Sequence, residues 1–420
     1  MIENETYIEK AVLVGVHRGL IDILQDTTEE SMEELRLLSK TAGAEVLCQI
    51  VQNKSDIETA TYVGEGKLEE IRLAAEELGA NLLIFDDELT GSQLRNIENA
   101  TGVRVIDRSM LILDIFAQRA ISAEGKIQVE LAQLRYTLPR LTGKGLVLSR
   151  QGAGIATRGP GETKLETDRR HIHRRINALR EDLKDIEKHR GLIRERRKKD
   201  NTVIAALVGY TNAGKSTLMN QLTDAECLAE NMLFATLDPT VRALDLPDGR
   251  NAILIDTVGF IRKLPHHLID AFKSTLEEAV LADVLVHVID ASAPDAERQI
   301  EVVERLLEDL GCGGKPVIAV YNKADLLPEG APRIPCHASL YTYTSAKDGT
   351  GLDALIEYLH ELLPGKKKQY TLLIPYSEGA LLGALHETEE ILTEEFLPEG
   401  TRVTLYAAPS WKEKIAPYII

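Results

Sequence analysis

Apolar positions near the amino terminus fall into short solid blocks separated by amphipathic stretches. KAVLVGV (Lys10–Val16), AEVLCQIV, NLLIFDD and VRVID read as buried strands. The stretches between them, from Thr28 to Ala42 and through GKLEEIRLAAEELG and TGSQLRNIENATG, repeat their apolar positions with a helical period. Strands alternating with helices predict a parallel sheet covered by helices. This places a small α/β domain over residues 1–119.

The period then changes. Ile127, Leu131, Leu134 and Leu138 recur at spacings of 4, 3 and 4. Ile172, Ile176, Leu179, Leu183, Ile186 and Ile193 continue in the same manner. Such spacings form the seam between paired helices. They predict an antiparallel helical hairpin over residues 120–200. Between its arms lies a tip loop, residues 141–164, within the Gly-rich stretch LTGKGLVLSRQGAGIATRGPGETKLETDRR. A long helix lying along the domains, with a plain connector, is the simpler alternative. The projecting hairpin is preferred because a connector needs neither this length nor this charge.

From Asn201 the alternating pattern returns and runs to Pro364, predicting a second parallel sheet with helices on both faces. GKKKQ reads as a linker. Residues 368–420 predict a small α+β domain, with YTLLIPY and RVTLYAA as strands and a helix around Gly379–Glu387.

Composition is that of a globular protein, 44% hydrophobic and 27% charged. No run is long and apolar enough to span a bilayer, and Met1–Lys10 lacks the layout of a signal peptide. Cys48, Cys227, Cys312 and Cys336 are scattered without a Cys-x-x-Cys pair. That spacing argues against a zinc site or disulfide framework and for a reduced, cytoplasmic setting. With no extra apolar stripe to cover, a monomer is expected. The formal net charge of −17 hides an asymmetry. Between Tyr136 and Lys199 there are 18 Lys and Arg against 8 Asp and Glu, a surplus of +10 that leaves −27 for the remainder. One basic segment on an acidic body points to a polyanionic partner.

Chemistry enters with VIAALVGYTNAGKST. A strand leads into Gly209-x-x-x-x-Gly214-Lys215-Ser216, the phosphate-binding loop. The backbone N–H groups of Tyr210, Thr211, Asn212, Ala213 and Gly214 can turn inward around phosphate oxygens. Lys215 reaches the β- and γ-phosphates, Ser216 ligates Mg2+, and Thr217 continues the helix whose positive end faces the anion. That loop alone leaves ATP as a competitor for GTP. Asn322-Lys323-Ala324-Asp325, at the end of KPVIAVYN, selects guanine, because its carboxylate can accept from both N1–H and the N2 amine, groups adenine does not offer. Thr344–Lys347, with Ser345, Ala346 and Lys347 nearest the base, supplies backbone support. LIDTVGF gives Asp256, Thr257, Val258 and Gly259, with Asp256 holding the Mg2+ water shell and the Gly259 N–H sensing the γ-phosphate. Leu233–Thr240 is the expected first switch: Phe234, Ala235, Thr236, Leu237 and Asp238 would border the nucleotide. Thr236 is the expected second Mg2+ ligand and Thr240 its rival. An ordinary loop could contain any one of these motifs, but not all five in this order.

The catalytic assignment falls on Lys215, Thr236 and Gly259. Ras-like GTPases place a water-orienting Gln after Asp-x-x-Gly; here the position is Phe260. Slow intrinsic hydrolysis follows, with a partner or a K+ near Asn212 supplying what is missing. No arginine finger is assignable.

A GTPase domain preceded by RQGAGIATRGPGETKLETDRR resembles the HflX family of translational GTPases; the likeness covers the whole chain, and its specific marks are that stretch together with GYTNAGKST, FATLDPT, DTVGF, NKAD and SAK. The resemblance implies four domains in this order, GTP hydrolysis stimulated by ribosomes, and association with the 50S subunit and its 23S rRNA in the cytoplasm. It also implies dissociation of stalled or idle 70S ribosomes, with the hairpin tip near the peptidyl-transferase centre. Arg150, Arg158, Arg169 and Arg170 are the expected RNA contacts. Ala156 and Lys164 depart from the family's tongue, where Gly and Gln are typical. The family's N-terminal domain has been credited with ATP binding. The local sign of that here is Gly64, Gly66 and Lys67 in YVGEGKLEE, which reads better as a plain strand-to-helix turn. Two other functions compete: RNA remodelling by an ATPase in the N-terminal domain, and a nucleotide-gated regulator whose hairpin pairs with partner helices.

Overall fold

The computed structural model describes residues 8–19, 28–141, 160–199, 202–223, 233–234, 239–263, 277–328, 330, 332–365 and 367–420, with the side chains of 160–165 and 193–199 left aside. Residues 142–159 of the expected tip loop and 235–238 of the first switch lie outside these residues, and the loop read as reaching residue 164 ends earlier, because a helix begins at Pro160. The chain divides into two compact units. One gathers Met1–Gly191, Glu230–Asp238 and Ile261–Ser274; the other gathers Leu192–Ala229, Pro239–Phe260 and Thr275–Ile420.

In the first unit, β1 (Lys10–His17), β2 (Glu45–Asn53), β3 (Leu82–Phe85) and β4 (Arg104–Asp107) form an all-parallel sheet in the order β2-β1-β3-β4. Helices α1 (Thr28–Thr41), α2 (Glu65–Leu78) and α3 (Gly91–Thr101) connect them. Val12, Val14, Leu83 and Phe85 pack with Ile71 and Ile97 as one core. Local chemistry sets the helix ends. Thr90 and Gln93 make a reciprocal capping box at α3, and Gly79 closes α2 in the left-handed conformation. The sequence reading stopped at strand β4 and missed α4 (Arg108–Arg119). Its run RSMLILDIFAQR buries Leu111, Ile112, Leu113, Ile115 and Phe116, so apolar residues surround the helix and blunt its period.

Next come α5 (Ala123–Arg140) and α6 (Pro160–Lys199). Their seam has the predicted residues: Leu131, Ile176 and Leu179 are buried, with Ile127, Leu134, Leu138, Ile172 and Leu183 packed on them. Glu130 pairs with Arg175 at 2.6 Å and Glu124 pairs with Arg190, so the arms run antiparallel. The second arm has 40 residues. At 1.5 Å per residue that is roughly 60 Å.

In the second unit, six strands lie in the order β10-β9-β8-β5-β7-β6. These are β5 (Val203–Gly209), β6 (Thr240–Asp245), β7 (Asn251–Asp256), β8 (Val284–Asp290), β9 (Val317–Asn322) and β10 (Leu340–Tyr343), all parallel except β6. The connecting helices include α7 (Lys215–Thr223), α8 (Ala296–Asp309) and α9 (Leu352–Leu362). An antiparallel sheet closes the chain: β11 (Lys368–Ile374), β12 (Glu390–Leu397) and β13 (Gly400–Ala407), with β13 central and α10 (Gly379–Thr388) packed against it. Strands β6 and β12 were absent from the sequence reading. Both are edge strands with mostly exposed side chains, so neither carries an apolar block. No helix among the described residues is long and apolar enough to cross a membrane.

Candidate functional site

The loop from Gly209 to Ser216 leaves the carboxyl end of β5 and enters α7. Strands β7, β8 and β9 deliver Asp256, Asp290 and Asn322 to the same edge of the sheet. Ligands bind outside this edge in open α/β sheets, because the chain reverses there and leaves a crevice. Three of the sequence motifs are tied together by hydrogen bonds. Asn322 Nδ2 donates to the Ala213 carbonyl at 2.8 Å, and its Oδ1 accepts from the Ala346 N–H at 3.0 Å and the Thr344 hydroxyl at 3.3 Å. One buried side chain therefore holds the phosphate loop against the TSAK loop.

The loop is shaped for an anion. Ala213 is wholly buried and supports the turn, while Tyr210 and Thr211 are nearly so. Asn212 is exposed at its tip with φ of 61°, a left-handed conformation that Asn tolerates. Gly214 has φ of 95°. A Cβ built there would fall 2.2 Å from Asn322 Nδ2, so only glycine fits. Thr211 N–H donates to the Phe260 carbonyl at 2.8 Å, and Phe260 N–H donates to the Gly209 carbonyl at 3.1 Å. This brings the Asp256–Gly259 motif alongside the loop. A Cβ on Gly259 would lie 2.8 Å from Thr211 Cα and 3.0 Å from Lys215 Nζ. The Gly259 backbone thus sits against the lysine expected to hold the γ-phosphate.

Lys215 is buried, and its Nζ donates to the carbonyls of Gly209 at 3.0 Å and Tyr210 at 2.8 Å. Burial pulls its pKa down to about 8, against the attraction of Asp256. The Ser216 hydroxyl donates to Asp256 Oδ2 at 2.6 Å. Thr217, beside it in α7, is half-buried. Thr257 is anchored by its hydroxyl to the Leu207 carbonyl at 2.7 Å, and Val258 is buried. Phe260 is buried as well, so an aromatic ring stands where a water-orienting amide would be needed.

On the base side, Lys323 is left-handed (φ 61°) and pairs with Asp290 at 2.6 Å. The Ala324 N–H donates to the Thr344 carbonyl at 3.0 Å. Asp325 and Lys347 are exposed, and Ser345 is buried, donating to Asp348 at 3.1 Å. The Asp325 carboxylate is thus open to a ligand while its neighbours are fixed. Ala235, Thr236, Leu237 and Asp238 lie outside the described residues. Thr240, the rival to Thr236, opens β6 directly opposite Asp256. Phe234 belongs to the first unit, where its ring meets Phe116 edge-on at 4.6 Å. Of the expected RNA contacts, Arg150 and Arg158 lie outside the described residues. Arg169 and Arg170 are exposed on α6, Arg170 pairing with Glu166 at 3.1 Å.

Gly64 and Gly66 need no glycine conformation. Gly64 precedes α2 with φ of −67°, and Lys67 pairs with Glu70 at 2.7 Å.

Sequence reasoning missed a charged cluster in the first unit. Asp86 is buried and receives Ser31 at 2.6 Å, Arg108 at 2.7 Å and Lys263 at 2.5 Å. Lys263 also reaches Asp87 at 3.0 Å, and Arg262 pairs with Glu30 at 2.9 Å. Burial raises the Asp86 pKa, but the charges of Arg108 and Lys263 outweigh it and hold the group at about 2. The segment that starts two residues after Gly259 is therefore fixed by two cations. The available signal was the pair of aspartates ending NLLIFDD at the carboxyl edge of a parallel sheet.

Family models match in three consecutive stretches. A GTP-binding GTPase N-terminal model covers residues 29–117, a GTP-binding GTPase middle-region model covers 119–197, and a 50S ribosome-binding GTPase model covers 204–323. Relatives described as GTPase HflX align over almost the full length. The protein of Caldanaerobacter subterraneus subsp. tengcongensis is 51% identical over 98% of this chain and 94% of its own. That of Lacrimispora saccharolytica is 48% identical over 97% and 95%. That of Escherichia coli is 43% identical over 94% and 92%.

Proposed function

This chain belongs to the HflX family of GTPases, which bind and hydrolyse GTP, and we propose that it spends that hydrolysis on ribosomes. In this reading the GTP-bound protein docks on the 50S subunit, presents the hairpin tip to 23S rRNA near the peptidyl-transferase centre, and separates stalled or idle 70S particles into subunits. The observation that carries the reading is the hairpin. Two antiparallel helices joined by a buried seam lead to a basic, glycine-rich tip, on a chain otherwise acidic. Neutralising phosphates and releasing their counterions is what such a segment does well. The matched model's description as a 50S ribosome-binding GTPase agrees with it.

The chemistry follows from the nucleotide site. The phosphate loop binds the polyphosphate through its N–H groups and Lys215, and Asp325 accepts from the guanine edge. Ser216 and Asp256, 2.6 Å apart, are oxygen donors suited to Mg2+, with Thr236 as the expected third group. Bound there, Mg2+ would neutralise charge on the β- and γ-phosphates. The Gly259 N–H registers the γ-phosphate and orders the segment that Lys263 and Arg262 anchor. Because Phe260 has no group to orient water, unassisted turnover is slow. The ribosome would supply the missing positioning, or Asn212 would hold a K+ that supplies charge.

The test is 70S dissociation followed by light scattering. Intact protein with GTP should convert 70S particles to subunits, and Lys215→Ala should not. Replacing Arg169 and Arg170 by Glu should weaken 50S binding by tenfold or more. Particles that stay intact with wild-type protein and GTP would refute the proposal.

A further inference from the structure

A second polar cluster lies in the GTPase unit, on β8 where His287 pairs with Val208 of β5. His287 comes from the middle of β8, Glu304 from α8, and Cys336 from the segment before β10. One ligand atom from each can be chosen so that all lie within 4.8 Å of one another. Cys336 Sγ is 3.6 Å from His287 Nδ1. Both border a pocket of about 490 Å³, together with Glu304, Cys312, Lys315 and His337. We propose that His287, Glu304 and Cys336 form a binding site for a thiophilic divalent cation, Zn2+ by preference, with the fourth position open to the pocket.

The donor set decides the class of ion. One imidazole nitrogen, one thiolate and one carboxylate suit Zn2+ or Co2+, whereas Mg2+ takes hard oxygens alone. A tetrahedral Zn2+ with ligands at 2.0–2.3 Å holds them about 3.3–3.8 Å apart. The cysteine–histidine pair already has that spacing, and the carboxylate needs to close a gap of no more than about 1.5 Å. Its orientation is prepared. Glu304 accepts from the His337 N–H at 2.7 Å and lies 2.9 Å from His337 Nδ1, the outer support that metal-bound carboxylates commonly have. His287 is 2% exposed, and burial favours its neutral ring, the form that ligates metals. Cys336 would bind as its thiolate. On binding, the S–H bond breaks, the sulfur–metal bond forms, and the proton passes to solvent. A structural cluster of three polar groups would need neither a thiol facing an imidazole nor a pocket beside them. Cysteine spacing hid the site because its three ligands are separated by 17 and 32 residues.

The probe is Co2+ added to the purified full chain with GDP bound. Cobalt in the oxygen-only nucleotide site gives no thiolate band, so a thiolate-to-cobalt charge-transfer band reports this site. One thiolate per bound ion is expected. The band should vanish in Cys336→Ser and persist in Cys312→Ser, and Glu304→Gln should weaken Co2+ binding at least tenfold. Unchanged GDP affinity shows that each variant is folded. A wild-type protein without the band, a band that survives Cys336→Ser, or an unaltered affinity in Glu304→Gln overturns the proposal.

Discussion

Substituting Gly214 by Ala tests how the nucleotide site is assembled. The backbone there has φ of 95°, and the new methyl would lie 2.2 Å from Asn322 Nδ2. Holding a residue with a Cβ in such a conformation costs about 1–3 kcal/mol. Asn322 cannot retain its 2.8 Å bond to the Ala213 carbonyl, and a buried polar group left unpaired adds about 1–3 kcal/mol. In the free protein the loop relaxes away from this geometry, so the penalty falls on nucleotide binding. Together these come to about 2–6 kcal/mol, which corresponds to GDP affinity weakened at least roughly 30-fold and up to about 20,000-fold. Calorimetric titration with GDP measures it. The clash also predicts coupling. In an Asn322→Ala background the methyl meets no amide, so Gly214→Ala should cost only its backbone strain, and the two changes should fall short of additivity by about 1 kcal/mol or more. Affinity within threefold of wild type, or strict additivity in the double variant, would refute the assembly argued here.

Other consequences are as direct. Asp325→Asn should leave the fold intact, because the side chain is exposed, yet weaken GDP binding about 100-fold through two charge-assisted hydrogen bonds; a fall of less than tenfold in the same titration contradicts guanine recognition by this carboxylate. Lys215 sits at about 8 in the free protein and must be charged against a polyphosphate, so affinity should hold below pH 8 and decline by up to about tenfold per unit above it, with proton uptake on binding. Titrations in two buffers of different ionisation enthalpy measure that uptake, and its absence at pH 9 counts against the assignment. For Asp86, the folded value of about 2 lies below the ordinary 3.8. Its stabilisation, about 2 kcal/mol, is present above pH 4 and lost as pH falls toward 2. Asp86→Asn should lower urea resistance at pH 7, and its gap from wild type should narrow below pH 4; a gap independent of pH would show that the charge does not matter.

The geometry of the candidate nucleotide site was legible because each of its motifs is local. A phosphate loop, an Asp-x-x-Gly and an Asn-Lys-x-Asp each bring backbone and side chain together within a few residues, and the parallel sheet does the rest. The hairpin seam was legible through its period, down to Leu131 against Ile176 and Leu179. Helix α4 escaped because it is apolar on most sides, and β6 and β12 because edge strands have no buried face to declare them. The Asp86–Lys263 and His287–Glu304–Cys336 clusters escaped for another reason. Their members meet only after folding, across separations of 177 residues in one case and 17 and 32 in the other.

Ribosome-directed hydrolysis is the central claim, and it is tested most directly by GTP turnover with and without purified 50S subunits. The intact chain should be compared with one whose residues 141–163 are replaced by a short Gly-Ser loop. The account predicts slow turnover of both proteins alone, strong stimulation of the intact chain by 50S subunits, and loss of that stimulation with the loop. Equal rates in all four reactions would contradict it.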